Sequence, residues 1–89
     1  MKRFIHLNSS QIAQITLDDF TVSELTRIIK ETQISEVNKR IAVYRFIKKM
    51  PYERIAEYCG LDTRTVMRHS KTISAALLKT FHELVEEER

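Results

Sequence analysis

Eighty-nine residues contain a single glycine and a single proline. That scarcity constrains the fold more than any other feature. Sandwiches and barrels need a turn every few residues, and turns draw on Gly and Pro for their backbone angles. A chain this poor in both is expected to be all-α, with about four to five helices joined by short links and closed by a long C-terminal helix. Its length fits one domain over residues 1–89 with a modest core. No apolar run approaches the roughly 18 residues that a membrane span requires. Met1-Lys2-Arg3 opens no signal peptide, and one cysteine permits no internal disulfide, so a cytoplasmic protein is expected.

Helix boundaries follow from caps and periodicity. Residues 1–20 carry the weakest signals. Phe4, Ile5 and Leu7 allow a short strand without an evident partner, Asn8-Ser9-Ser10 a cap or turn, and Gln11–Leu17 a short helix. The role of these residues stays open between an arm, a lid and a partner contact. Thr21-Val22-Ser23-Glu24 fits a capping box, with Phe20 and Leu25 at staple spacing, and starts a helix from Val22 to Thr32. Ser35 caps a second helix reaching about Lys49, with Val37, Ile41, Tyr44 and Ile47 recurring at helical spacing. Pro51 suits the first position of a short helix to Cys59, which Gly60 ends in the left-handed conformation. Asp62 caps the last helix, Thr63 to Glu86, whose stretch 72–86 carries the stripe Ile73, Leu77, Phe81 and Leu84.

Charge is distributed unevenly. Residues 1–34 are balanced, whereas residues 36–79 hold ten basic and four acidic side chains. The closing Glu86-Glu87-Glu88-Arg89 is acidic. A basic segment between neutral and acidic ends suits a polyanion-binding surface.

The stretch from Tyr52 to His69 holds Ala56 where two helices would cross closely, Gly60 in the turn and Val66 on the buried side of the second helix. Ile55, Cys59 and Leu61 supply the remaining packing. With those spacings the stretch, extended to about Lys71, resembles the helix-turn-helix family of DNA-binding proteins. Residues 36–79 as a whole resemble region four of bacterial sigma factors and related phage and regulator domains. The run Arg40-Ile-Ala-Val-Tyr-Arg-Phe-Ile-Lys-Lys-Met-Pro-Tyr-Glu-Arg-Ile-Ala carries that likeness into the helix before the motif. Pro51 departs from the usual polar cap, and His69 from the usual aliphatic residue. The other regions of a sigma factor are missing, so the resemblance implies a DNA-binding module and not promoter melting.

The resemblance implies sequence-specific binding of double-stranded DNA by a transcriptional regulator, with the helix 63–71 in the major groove. Arg64 and Arg68, four apart, would donate to guanine edges, Met67 would touch a thymine methyl, and Thr63 shares their outer face. Lys48, Lys49, Arg54, Thr65 and Lys71 would meet phosphates, which position without specifying. Two alternatives are a helical adaptor for RNA polymerase or another protein, and a DNA-binding subunit of a packaging or transposition complex. Leu78 and Val85 broaden the C-terminal stripe enough to suggest a homodimer through that helix.

No catalytic residues, cofactor or metal are expected. Cys59 falls on an apolar position and reads as an inert packing thiol. His6, His69 and His82 are scattered without zinc-ligand spacing, and His69 reads as a packing residue or a phosphate contact. Tyr44, Tyr52 and Tyr58 read as core and rim, not as a base-stacking platform.

Overall fold

A computed structural model describes all residues, 1–89, and contains helices and turns without a strand. The five α-helices are α1 (Ser9–Ala13), α2 (Val22–Glu31), α3 (Glu36–Ala42), α4 (Tyr52–Cys59) and α5 (Thr63–Glu88). At about 1.5 Å per residue, α5 is ~39 Å long. That nearly equals the longest dimension of the molecule, 41 Å against 20 and 19 Å across. α5 is therefore the axis, and the other elements are arranged along it.

The caps form as their side chains allow. Thr21 Oγ1 accepts from the Glu24 N–H at 3.1 Å while the Glu24 carboxylate accepts from the Thr21 N–H at 2.9 Å. Asn8 and Gln11 make the same reciprocal pair at 2.9 Å each way. Ser35 Oγ accepts from the Asn38 N–H at 3.1 Å. Each bond satisfies a donor that the first turn leaves without an intrahelical acceptor.

Several boundaries differ from the expectation. Capped by Asn8, α1 starts at Ser9, two residues before Gln11, and stops at Ala13 instead of reaching Leu17. Lys2–Phe4 is a 3-10 turn, not a strand, since no second extended segment exists to pair with it. The helix after Ser35 stays α-helical only to Ala42 and then widens into a π-helical turn over Val43–Ile47. There the Lys48 N–H bonds to the Val43 carbonyl at 2.9 Å, and the Met50 N–H to the Tyr44 carbonyl at 3.0 Å. Lys49 ends the turn at φ 57, the one non-glycine residue in the left-handed region. Pro51 is the N-cap of α4, not its first helical residue. Its ψ of 154 is extended, and its carbonyl accepts from the Arg54 and Ile55 N–H groups.

One core of 17 buried apolar residues runs from Met1 to Val85. The expected stripe of α5 is buried throughout, as are Ile28 on α2, Ile41 on α3 and Ile55 on α4. Val37, expected on the inner face of α3, is exposed because it lies in the first turn, before the helix meets its neighbours.

The first 20 residues fold back onto the C-terminal half of α5. Phe4, Phe20 and Phe81 meet edge to face, with ring centroids 5.6, 5.0 and 4.8 Å apart. Such pairs add to the burial itself. Arg3 bonds to the Glu24 carboxylate at 2.9 Å, the Met1 amine pairs with Glu88, and Arg27 reaches Glu88 at 3.1 Å. Neither a free arm nor a lid describes this segment. Val85 faces the chain's own core and Leu78 is half-buried. No helix is long and apolar enough to cross a membrane.

Candidate functional site

The end of α5 opposite this clamp begins with a sharp turn. Gly60 terminates α4 at φ 66 and ψ 33. The Gly60 and Leu61 N–H groups both return to the Ala56 carbonyl, the latter at 3.0 Å. This closure satisfies end carbonyls that the helix cannot. A Cβ at Gly60 would meet nothing within 4 Å, so the glycine is there for its φ and not for space. Two residues later Asp62 caps α5, its Oδ1 accepting from the Thr65 N–H at 2.8 Å. That bond holds the Asp62 carboxyl below its ordinary range, with Arg68 adding a smaller electrostatic pull.

The packing residues divide into two groups. Ile55, Ala56 and Val66 are buried where α4 meets α5. Cys59 and Leu61 are only half-buried, because they flank the turn where the helices diverge into solvent. Cys59 is a free thiol packed against the core. His69 is half-buried, and its Nδ1 lies 3.1 Å from Asn38 Oδ1, tying α5 to α3. At this position α5 is thus held to α3 by a polar tie.

The outer face of the first turns of α5 carries the side chains expected there. Thr63, Arg64, Thr65, Met67, Arg68 and Lys71 line one open depression together with Asp62. All of its lining comes from one helix and its cap, so it is the space between extended side chains and not an enclosed cavity. Arg64, Arg68 and Lys71 are exposed, and none has an acidic partner within ion-pair distance. Met67 is 46% exposed, which sets an apolar side chain among the cations.

Three expected phosphate contacts lie outside the depression. Lys48 and Arg54 are exposed and without an ion pair. Lys49 is drawn the other way, its Nζ 3.8 Å from Asp18 in the N-terminal segment. Thr65 is half-buried and its N–H is already taken by Asp62, so it offers a phosphate less than its place near the helix start suggests.

Asp62 shares this surface, and its capping role is legible from type and spacing. Arg45 lies outside the expected set. Its guanidinium donates to the Met50 carbonyl at 3.0 Å and lies 4.1 Å from the Tyr52 ring centroid, bracing the link into α4. Tyr58 is 60% exposed beside half-buried Tyr44, with ring centroids 5.7 Å apart. No three His, Cys, Asp or Glu side chains lie together in a way that could hold a metal ion. The chain matches no protein-family model, no curated protein and no solved structure.

Proposed function

We propose that this protein binds double-stranded DNA as a transcriptional regulator in the cytoplasm, by placing the first turns of α5 in the major groove. The observation that carries the reading is the set of unpaired cations. Arg64 and Arg68 stand four residues apart on one exposed helix face, continued by Lys71, with Met67 between them and no acid bonded to any of the three. Helix side chains of this kind recognise guanine edges and thymine methyls in the major groove. Lys48 and Arg54 supply sequence-independent attraction to phosphates. The glycine turn and the Ala56 crossing fix α4 against α5, so the helix would enter the groove on a rigid support. Of the two residues that suggest a homodimer, Val85 faces the chain's own core and Leu78 is half-buried.

Fluorescence anisotropy with a random-sequence duplex across a salt series tests this. Affinity should fall steeply as salt rises, because each neutralised phosphate releases about 0.9 of a counterion. Arg64→Ala with Arg68→Ala should weaken binding, and Lys48→Ala with Arg54→Ala should in addition flatten the logarithmic salt slope by up to about 2. Absence of binding at the lowest salt overturns the proposal. A second reading, a helical adaptor for RNA polymerase or another protein, draws on the exposed Tyr58 ring beside Tyr44. It would be favoured if Tyr58→Ala abolished capture of a purified polymerase while the arginine pair had no effect.

A further inference from the structure

The cationic face contains one anion, and its position is not neutral. Asp62 is exposed, it lines the same depression as Arg64, Met67, Arg68 and Lys71, and it is the only acid there. Neither arginine closes an ion pair with it. Its carboxylate is instead held against the first turn of α5 by the Thr65 N–H at 2.8 Å. The start of a helix, with its free N–H groups and positive dipole end, otherwise attracts phosphate. Here that place is filled by a fixed negative charge. Capping alone does not require the charge, since Asn, Ser and Thr cap comparably. Asn8, Thr21 and Ser35 do so elsewhere in this chain.

We infer that Asp62 is a specificity determinant, which weakens sequence-blind phosphate binding at the start of α5 while leaving base recognition by Arg64 and Arg68 intact. The inference rests on the DNA-binding reading above. On non-cognate duplex a protein is held chiefly by phosphates, and a carboxylate at the leading end of the helix repels any phosphate that approaches it. On a cognate site the helix is seated in the groove, where base edges face its first turn. A carboxylate there accepts from the exocyclic amino group of cytosine and meets no phosphate. One residue thus acts with opposite sign on the two complexes. The carboxyl sits below its usual range and stays ionised at neutral pH, so the charge is present under the conditions that matter.

The test compares the full chain with Asp62→Asn and Asp62→Ser, both of which keep a competent cap. Two duplexes are used, one of random sequence and one recovered by selection with the unaltered protein. Urea melting first confirms that the variants fold, with stabilities close to the parent. Affinity for the random duplex at low salt should rise on the order of three- to tenfold in both variants, with the logarithmic salt slope steeper by about 0.9 if one phosphate contact is gained. Affinity for the selected duplex should stay level or fall, so the ratio of the two shrinks. Equal shifts on both duplexes, or none on either, overturn the inference and leave the DNA-binding reading standing. Failure of selection to recover any preferred sequence overturns it as well. If the unaltered protein binds neither duplex, the parent reading fails and this inference falls with it.

Discussion

The two ends of α5 handle charge in opposite ways. At its C-terminal end Glu88 pairs with the Met1 amine and Arg27, and Glu86 with Arg89. Nearby, Arg3 holds Glu24 and Arg27 reaches Glu31. All six ion pairs of the chain involve the N-terminal segment, α2 or this last turn, and none involves a residue between positions 51 and 85. Yet that interval contains Arg54, Arg64, Arg68, Lys71 and Lys79, with Glu53, Glu57, Asp62 and Glu83 among them. Acids are near in sequence and remain unpaired. A surface ion pair contributes only about 0–1 kcal/mol, so pairing at one end secures a segment without dominating stability. Leaving cations unpaired at the other end costs the fold little and leaves donors free for an external anion.

The largest test of this contrast removes the clamp. Phe81→Ala should destabilise the protein by about 3–5 kcal/mol in urea melting, because it opens a cavity among three rings that share one core with the rest of the chain. Should the cost stay below about 1 kcal/mol, the N-terminal segment would be a loose appendage and the comparison would lose one side. Next in size, Gly60→Ala should cost roughly 1–2 kcal/mol, entirely through the left-handed backbone, since its new Cβ touches nothing. The reverse change, Lys49→Gly, relieves the same backbone angle and should raise stability by up to about 1 kcal/mol.

Acid sharpens the comparison. Arg3 first, then the Thr21 cap, holds the Glu24 carboxyl below its ordinary range, and the Met1 amine and Arg27 do the same for Glu88. A carboxyl with a depressed folded pKa contributes stability above its unfolded value and loses it as pH falls through the folded value. Thermal stability should therefore hold from neutrality to about pH 5 and decline below about pH 4. Glu24→Gln should shrink that decline while lowering stability at pH 7. The smallest expected effect is at the other end. Arg64→Ala with Arg68→Ala should leave stability within about 0.5 kcal/mol of the parent, as exposed side chains without partners do. A larger loss would mean that these arginines serve the fold after all.

Local signals proved readable wherever a short-range interaction decides the outcome. The Thr21–Glu24 box forms in both directions, and Gly60 adopts the left-handed angle that ends α4. The stripe of α5 is buried from Ile73 to Leu84. The π-helical turn was not readable, because the sequence of its residues, Val43 to Ile47, also suits an α-helix. Nor was the destination of residues 1–20. Phe4 and Phe20 are single apolar residues in weak patterns, and their partner Phe81 lies more than sixty residues away. At the candidate site, helix periodicity alone groups Arg64, Met67, Arg68 and Lys71. It could not tell that Lys49 turns to Asp18, or that Asp62 closes no ion pair with the arginines beside it.

By itself, then, the sequence determined the all-helical class, the caps, the turn at Gly60 and the outward face of α5. Each depends on residues within a few positions of one another, where backbone angles and periodicity leave few choices. Only the tertiary structure decided that the N-terminal segment clamps one end of α5, and which cations keep their charge free at the other. Those outcomes depend on contacts between distant parts of the chain, whose geometry no local pattern encodes.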